Sequence, residues 1–398
     1  MNNDLIIFSD TLDEDAIKQI HSFSNHEAFK NSKIRIMPDV HAGKNCVVGF
    51  TATIDNMIIP SVIGSDIGCG MFCANLGQVN IDYDKLDKVI RNRISEGSEK
   101  DLSVLTNFPF EELKTFKRLK RIKRIKNSIG TLGNGNHFIE IDEDEIGNKY
   151  LIIHTGSRNL GTQVAENYQT MADLICNHDY LQYLRKTKEV ISKYKALGRE
   201  KEIERELLRL KNDMLISNNY IPFELAYLTD EYKDDYLNDM KICQSFAILN
   251  RYTIASAIAG EMGFSIDDYF ESIHNYISIN EGIIRKGAIS AKSGERVIIP
   301  MNMRDGCIIG IGKGNNEWNQ SAPHGAGRLL SRSEARKQIN LDDYIKSMQN
   351  VYTTSVNKYT IDESPFAYKP MDEITEKIGP SVEIKRIIKP VYNYKSNK

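Results

Sequence analysis

The fold is decided by the stretch from Lys33 to Phe72, which reads KIRIMPDVHAGKNCVVGFTATIDNMIIPSVIGSDIGCGMF. Short β-branched and apolar runs alternate here with glycine-containing turns, a pattern typical of strands joined by tight turns. We predict strands at residues 34–36, 47–50, 57–59 and 61–63. The same texture predicts paired strands at 139–141 and 150–153, and further strands within 283–311 and 382–394.

Helical patterns surround and separate these β-rich parts. A polar helical stretch lies near residues 13–22, and residues 82–128 and 163–255 have mostly helical patterns. Within the second region, residues 186–211 carry 14 charged side chains in 26 positions, which predicts a solvated helical arm. We therefore predict an α+β fold, with mixed or antiparallel sheets around the functional site and a mostly helical central region.

Composition narrows the class of protein. The 398 residues are 41% hydrophobic and 27% charged, which predicts a packed core and excludes wholesale disorder. A run of 18 apolar residues and a basic, apolar N-terminal leader are both missing from the sequence, so we expect a cytoplasmic protein without a membrane span. The net charge of -2 means that any polyanion site must be local.

The six cysteines have no framework spacing, which favours free thiols or metal ligands over disulfides. One cysteine, Cys69, stands out because it lies three positions after Asp66 in a glycine-rich turn that follows an apolar run. Their carboxylate and thiolate can converge on one cation, and this mixed donor set favours Mn, Fe, Co or Zn over Mg or Ca. A thiolate can also bridge two metals. Alternatively, Asp66 caps a turn and Cys69 is simply a buried small side chain.

Histidines in similar turns could complete such a shell. His41, His137, His154 and His324 each have glycine close by, whereas His274 does not. Glycine lets backbone and ligand approach closely. A lone histidine is more often structural, but several in glycine-flanked turns favour a functional site.

The segment around His324 suits phosphate. Gly325, Gly327 and nearby backbone N–H groups could form an anion nest, with Arg328 and Arg332 as donors to phosphate. His324 could then act as a general acid or base or as a covalent phosphoryl acceptor. The alternative is a glycine-rich turn that caps a helix at residues 328–338.

Further candidate phosphate-binding cations are Arg158, Arg251 and Lys286. A separate run, residues 114–126, has eight Lys and Arg in thirteen positions. Apolar residues recur in this run every three positions, at Leu119, Ile122 and Ile125. We therefore predict a basic amphipathic helix over residues 114–126. A polyanion footprint and a merely solvated face fit this helix about equally, and a membrane-surface role fits less well.

Five of these motifs, in this order, resemble the RtcB family of RNA ligases over roughly residues 33–395: residues 38–41, 65–70, 130–140, 154–158 and 321–328. The resemblance implies a GTP-dependent enzyme of tRNA splicing or RNA repair. It would join an RNA 3′-phosphate or 2′,3′-cyclic phosphate end to a 5′-hydroxyl end. An archease-type activator is a further partner found in parts of this family.

The resemblance also implies roles for individual residues. His324 matches the histidine that attacks GTP and carries GMP, before an RNA-3′-pp-5′-G intermediate forms. The expected ligands of two Mn²⁺ ions, with Cys69 as the bridge, are Asp66, Cys69, His137, His154 and His274. The expected guanylate-site residues are Asn136, Phe138, Glu140, Asn275 and Lys395. The expected RNA- and phosphate-binding cations are Arg158, Arg251, Lys286, Arg328 and Arg332.

The resemblance is incomplete in places. Residues 301–306 replace a Gly-Ser-Met-Gly pattern, and Asp39 and His41 belong to a family motif without an assigned role.

Because candidate site residues come from both β-rich parts, we predict one interlocked domain over residues 1–398, with the helical region of about 163–255 inserted. A metal-dependent phosphodiesterase acting on RNA ends or nucleotides is the alternative function, and a non-catalytic RNA-binding paralogue is a third.

Overall fold

The computed structural model describes residues 4–94, 102–215 and 220–395. The strands are β1 Leu5–Ile7, β2 Ile34–His41, β3 Val48–Thr53, β4 Gly70–Gly77, β5 Phe138–Glu143, β6 Lys149–Thr155, β7 Tyr269–Ile273, β8 Tyr276–Ser278, β9 Ile283–Lys286, β10 Ala288–Ser290, β11 Arg296–Asn302, β12 Gly306–Gly312, β13 Ser321–Pro323, β14 Tyr352–Thr353 and β15 Val382–Lys395. The α-helices are α1 Glu14–Ser24, α2 Pro60–Ile63, α3 Tyr83–Val89, α4 Ile122–Lys126, α5 Arg158–Asn177, α6 Tyr180–Ala196, α7 Ile203–Asp213, α8 Asp230–Met262, α9 Arg332–Gln338, α10 Leu341–Ser347 and α11 Met371–Ile378. This mixture confirms the predicted α+β class.

The larger sheet has the strand order β11-β12-β15-β5-β6-β4-β7, and β14 pairs with β15 beside it. Its neighbours along this order are antiparallel, and the predicted pairing of β5 with β6 is confirmed. The two edge strands of this sheet, β11 and β7, lie close to each other. The backbone N–H of Ile298 in β11 donates to Oγ of Ser272 in β7 at 3.1 Å. One face of the sheet therefore curls around an enclosed interior, while α8 packs against the other face through Ile254, Ala255 and Ile258.

The smaller sheet has the order β1-β2-β3-β9-β8 and packs on the largest apolar cluster, which also contains residues of α1, α5 and α8. Phe23, Phe29 and Phe50 pack in edge-to-face and tilted arrangements within it, with ring centroids 5.4–6.2 Å apart. The antiparallel pair β10-β13 contacts β3 of the smaller sheet and β7 of the larger sheet. The smaller sheet thus combines strands from residues before 100 with strands from residues after 275.

The strand predicted at residues 61–63 is wrong, because these residues form the short helix α2. Pro60 occupies its first turn, where the missing N–H costs nothing and the fixed φ favours a helix. The Ser61 backbone N–H is bound by Oε1 of Gln169 at 2.7 Å. Of the strand predicted at 57–59, only an isolated bridge from Ile58 to Leu228 is present.

The helix predicted over residues 114–126 is also wrong. The segment has a 3₁₀ turn at Phe116–Arg118, a left-handed Arg121 with φ of 55°, and then the short α4. The spacing explains the difference, because apolar residues every three positions match the 3.0-residue turn of a 3₁₀-helix. On a single α-helix of 3.6 residues per turn they would rotate away from the core.

The predicted helical arm is confirmed. The helices α6 and α7 cover most of residues 186–211, and Gly198 with φ of 66° lies between them. Apart from Tyr180 at its base, the described arm has no buried residue. None of the helices in the described ranges, including the 33-residue α8, is both long and apolar enough to cross a membrane.

Candidate metal centre and adjoining cavity

Neighbouring strand ends bring the candidate ligands together. Asp66 and Cys69 lie in the turn between α2 and β4, and His154 lies near the end of β6. His137 directly precedes β5, and His274 directly follows β7. Because β5, β6, β4 and β7 are adjacent and antiparallel, the start of one strand and the end of the next lie at the same end of the sheet, and these positions meet there.

The ligand atoms converge closely. The Cys69 Sγ lies 3.5 Å from Nε2 of His137 and 3.3 Å from Nε2 of His154. The His154 Nε2 lies 3.2 Å from Nε2 of His274, and the His137 Nε2 lies 3.1 Å from Oδ2 of Asp66. Ligands held about 2.0–2.3 Å from a tetrahedral ion are separated by about 3.3–3.8 Å, which is close to this spacing.

Hydrogen bonds from the other ring nitrogens fix the tautomers. The His137 Nδ1–H donates to the Leu132 carbonyl at 3.0 Å, and the His154 Nδ1–H donates to the Asn136 carbonyl at 3.1 Å. Each Nε2 is then a lone-pair acceptor that faces the thiol group. Several acceptors gathered in a buried space around a single weak S–H donor favour a cation between them.

These atoms form two groups that share Cys69, one with His154 and His274 and the other with Asp66 and His137. Within each group the ligand atoms lie within 4.8 Å of one another. Burial holds the pKa of His154 and of His274 well below the usual range, so both imidazoles are neutral and able to coordinate. Each group could therefore hold a borderline divalent ion, and the Cys69 sulfur is within reach of both groups.

The charges of Asp66 and Cys69 also suit a cation. Although burial opposes ionisation, hydrogen bonding to His137 and the nearby Arg158 hold the pKa of Asp66 at about 2. Burial and the Asp66 carboxylate raise the pKa of the Cys69 thiol well above its usual range. Metal binding would have to offset this cost, which couples loading of the centre to loss of a proton.

His324 adjoins this centre. Its ring centroid lies 4.7 Å from that of His274. The His324 Nδ1–H donates to Oδ2 of the fully buried Asp39 at 2.7 Å, and the His324 backbone N–H donates to the same oxygen at 3.1 Å. Gly327, with φ of 79°, permits this approach, because a Cβ there would lie 2.3 Å from the Asp39 carbonyl oxygen. The bond leaves Nε2 as the lone-pair nitrogen of the ring.

A cavity of about 990 Å³ opens beside His324. That volume lies at the upper end of the range for small-ligand pockets. The candidate site residues that line it are Asn136, Phe138, Glu140, His154, His274, His324, Arg328, Arg332 and Lys395. Three lining residues to which sequence reasoning gave no role are His41, Glu363 and Tyr368.

Glu363 organises the cations of this cavity. Its buried carboxylate lies 2.9 Å from Nζ of Lys395, 3.2 Å from Nη1 of Arg328 and 3.0 Å from Nη1 of Arg332. Against the effect of burial, Lys395 and the two arginines hold the pKa of Glu363 at about 2. Asp362, which is also buried, pairs with Arg332 and Arg336 at 2.8 and 3.3 Å. Four cations therefore face two carboxylates here, and the excess positive charge suits a phosphate.

Glu140 is the second buried carboxyl group of the cavity. Burial raises the pKa of Glu140 to about 7, although Lys395 and a hydrogen bond from Asn393 act against this rise. The Asn393 Nδ2–H donates to Oε1 of Glu140 at 2.5 Å. The Lys395 Nζ also lies 5.2 Å from the centre of the Phe138 ring, so strand β15 completes this end of the cavity.

The remaining candidates lie outside the cavity lining that the described residues form. Arg251 is fully buried and binds the Glu271 carboxylate at 2.9 Å and the Gly68 and Thr155 carbonyls at 3.0 and 2.8 Å. It ties the Cys69 turn to the end of β6. The structure thus gives Arg251 protein acceptors in place of phosphate.

Lys286, Asn275 and Arg158 also support the centre from outside the cavity. The Lys286 Nζ donates to the Ile63 carbonyl at 3.0 Å. Asn275, at φ of 100°, accepts from the Gly287 N–H at 3.0 Å and donates to the Asp66 carbonyl at 3.3 Å. The Arg158 Nη1 lies 3.4 Å from Nδ1 of His137.

The fold and site define an α+β protein whose buried thiol–imidazole centre adjoins a cavity with a carboxylate-bound histidine and a cluster of cations. The family model described as "tRNA-splicing ligase RtcB" matches residues 19–115 and 98–396. The chain therefore belongs to the RtcB family.

Relatives agree over most of their length. RNA-splicing ligase RtcB1 of Escherichia coli strain ATCC 25922 is 29% identical over 392 residues, covering 88% of this chain and 87% of that protein. RNA-splicing ligase RtcB of Escherichia coli K12 is 28% identical, with the same coverage. The tRNA-splicing ligase RtcB of Aeropyrum pernix is 24% identical over 452 residues, covering 89% of this chain and 85% of that protein.

Proposed function

We propose that the protein is a GTP- and Mn²⁺-dependent RNA ligase that joins a 3′-phosphate or 2′,3′-cyclic phosphate end to a 5′-hydroxyl end. The observation that carries the proposal is the position of His324. Its ring contacts that of His274 in the candidate metal centre, and it lines the same cavity as Arg328 and Arg332. Family membership supports RNA as the substrate.

In this proposal His324 is the nucleophile. Its Nε2 attacks the α-phosphate of GTP, a P–N bond forms, and the bond to the pyrophosphate leaving group breaks. The Asp39 carboxylate accepts the hydrogen bond from Nδ1–H of His324, which keeps the proton on Nδ1 and leaves the Nε2 lone pair free to attack. As the ring acquires positive charge in the transition state, the buried Asp39 carboxylate stabilises it.

Two further transfers complete ligation. The RNA 3′-phosphate attacks the phosphorus of the His324 adduct, breaking the P–N bond and forming the RNA-3′-pp-5′-G intermediate. The 5′-hydroxyl then attacks the activated 3′-phosphate, and GMP leaves. A 2′,3′-cyclic end must first be hydrolysed to a 3′-phosphate. Mn²⁺ ions held by Asp66, Cys69, His137, His154 and His274 would supply Lewis-acid stabilisation of charge on the phosphates.

Different cavity residues would contact different parts of GTP. Arg328 and Arg332 attract phosphate oxygens, since both carry guanidinium groups on the cavity wall. Ionised Glu140 would accept N–H donors from the guanine edge, which adenine does not present in the same pattern. Phe138 gives an aromatic face, and Lys395 neutralises the surrounding carboxylates.

Guanylylation without RNA tests the nucleophile. The protein incubated with α-labelled GTP and Mn²⁺ should retain label in an acid-labile, alkali-stable adduct. The His324→Ala variant should lose it, and His21→Ala, at an exposed position on α1, should not. Equal labelling of His324→Ala and the wild type would rule out this nucleophile.

Ligation of defined RNA ends tests the reaction. We expect joining with GTP and Mn²⁺ from 3′-phosphate or 2′,3′-cyclic phosphate and 5′-hydroxyl ends, and much less with ATP. Trimming of the ends without joining, independent of GTP and of His324, would instead support a metal-dependent phosphodiesterase.

A further inference from the structure

Residues 114–126, the basic segment, form a row of cations on the surface. The apolar residues at every third position turn inward and join the core, at Leu113, Phe116, Leu119, Ile122 and Ile125. The basic side chains between them are exposed, at Lys114, Lys117, Arg118, Lys120, Arg121, Lys123, Arg124 and Lys126. The three-residue period thus separates a buried apolar edge from a basic outer edge.

The backbone of the basic segment is held in place. Asp239 of α8, which is fully buried, accepts from the backbone N–H groups of Lys114 and Thr115 at 2.7 and 3.0 Å. The Gln163 side chain of α5 accepts from the Lys120 N–H at 2.6 Å and donates to the Lys120 carbonyl at 3.0 Å. The cations therefore project from a fixed backbone, which lowers the entropy lost on binding a ligand.

Most of these cations have no acidic partner. Among the described residues, only Lys114 of the eight forms an ion pair, with Asp235 at 3.9 Å. On the helical arm, by contrast, Arg199 and Arg205 pair with Glu202 at 2.5 and 2.7 Å. Unpaired cations on one edge create a local positive potential in a chain whose net charge is -2.

The basic segment also lies close to the candidate metal centre. It is clamped to Gln163, which follows Arg158 by five residues on α5, or about 7.5 Å at the α-helical rise. The Arg158 Nη1 lies 3.4 Å from Nδ1 of His137. The exposed Asn159 lies between, with its Oδ1 2.6 Å from Nε2 of Gln163.

We propose that the basic segment binds phosphates of an RNA strand and guides that strand along the start of α5 toward the metal centre. The inference rests on the proposed ligase function, because that function supplies an RNA end at the centre. An anionic membrane fits less well, since surface-binding helices insert apolar side chains and here Phe116, Leu119 and Ile122 pack inward.

The test compares two variants with equal loss of charge. One replaces Lys117, Lys120, Lys123 and Arg124 of the basic segment by glutamine. The control replaces four exposed lysines of α6 by glutamine, at Lys186, Lys188, Lys193 and Lys195. RNA affinity is measured by fluorescence anisotropy between about 50 and 200 mM salt, using a single-stranded RNA with a 3′-phosphate and no GTP.

We expect the basic-segment variant to bind RNA at least about tenfold more weakly. Its slope of log K against log[salt] should be shallower by about 0.7 per lost phosphate contact. The control should keep the wild-type affinity and slope. Both variants should form the GMP adduct at the wild-type rate, which shows that they fold and separates this inference from the proposed function.

Two outcomes would overturn the inference. One is that the basic-segment variant binds RNA with the wild-type affinity and salt slope. This outcome overturns the inference also if the variant has lost binding to phosphatidylserine vesicles, which would indicate a membrane surface as the ligand. The other is an equal loss in both variants, which would indicate a general charge effect. If the basic-segment variant does not fold, photocrosslinking of 4-thiouridine RNA to the wild-type protein decides, since the crosslinked peptide must contain residues 114–126.

Discussion

The bond between Asp39 and His324 gives the sharpest test of the proposed chemistry. Replacing Asp39 by asparagine keeps the shape of the side chain, and the amide oxygen can still accept the Nδ1–H and the backbone N–H that now lie 2.7 and 3.1 Å from Oδ2. What disappears is the negative charge beside the imidazole. Asparagine also offers an N–H donor, which would favour the wrong tautomer of His324.

The magnitude follows from the type of bond. A hydrogen bond to a charged group contributes about 1.5–3 kcal/mol and one between neutral groups about 0.5–1.5 kcal/mol, so loss of the charge alone costs about 1–1.5 kcal/mol. At about 1.4 kcal/mol per tenfold change in rate, the guanylylation rate of Asp39→Asn should fall about 5- to 12-fold. Inversion of the tautomer would enlarge the loss, toward the roughly 10⁴-fold effect seen when the aspartate of a Ser-His-Asp triad is replaced.

Single-turnover labelling with GTP, with the concentration of GTP varied, measures this loss. Asp39 is fully buried and lies behind His324, so the maximal rate should fall while the GTP concentration at half-maximal rate stays nearly constant. The matched control is Asp15→Asn, which removes a carboxylate from the cavity rim where its side chain is 75% exposed.

A wild-type maximal rate in Asp39→Asn would refute the orienting role of Asp39. A fall confined to GTP affinity would refute it as well, because a residue outside the cavity would then act on binding alone. An equal loss in Asp15→Asn would show that the overall charge of the cavity, rather than this one bond, controls the rate.

Three further perturbations test other parts of the structure. Cys69→Ala should lower bound Mn²⁺ measured by plasma mass spectrometry after desalting, whereas Cys243→Ala, which removes a buried thiol of α8, should leave it unchanged. Arg251→Met should destabilise folding by about 3–5 kcal/mol in urea, because it removes the fully buried partner of Glu271, whose side chain is only 14% exposed, while Arg93→Met, at an exposed pair, should cost less than about 1 kcal/mol. Since burial raises the pKa of Glu140 from 4.5 to about 7, its protonated form stabilises the fold fully below pH 4.5 and that stabilisation is lost as the pH rises through 7. Glu140→Gln should therefore flatten the free energy of unfolding between these pH values, and an unchanged pH profile would contradict the buried position of this carboxyl group.

Local patterns predicted much of the fold. The strands near residues 34–36 and 139–153 and the solvated arm of 186–211 followed from alternation, β-branching and charge. The pattern failed where it was short or ambiguous. Residues 61–63 are apolar and β-branched, but Pro60 starts a helical turn and tertiary packing against Gln169 keeps it.

The candidate site shows the same division. Turn glycines and metal-ligand residue types singled out Asp66, Cys69 and the histidines, because their chemistry depends on residue identity. Local patterns assigned no role to Glu363, which ends a short 3₁₀ turn and acts through Lys395 and Arg328, partners distant in the chain. Arg251 illustrates the opposite case, since an arginine in a helix carries no local sign of whether its donors meet phosphate or a buried glutamate.

Strand β15 has a consequence for how the protein is made. It comes last among the described strands, yet it lies between β12 and β5 and carries Lys395 into the cavity. During synthesis β5 must wait for more than two hundred further residues before this neighbour leaves the ribosome. We expect slow, late assembly of the larger sheet, as non-local pairings generally imply. A chain released before β15 is made would thus contain His324 but lack the strand that completes one end of the cavity.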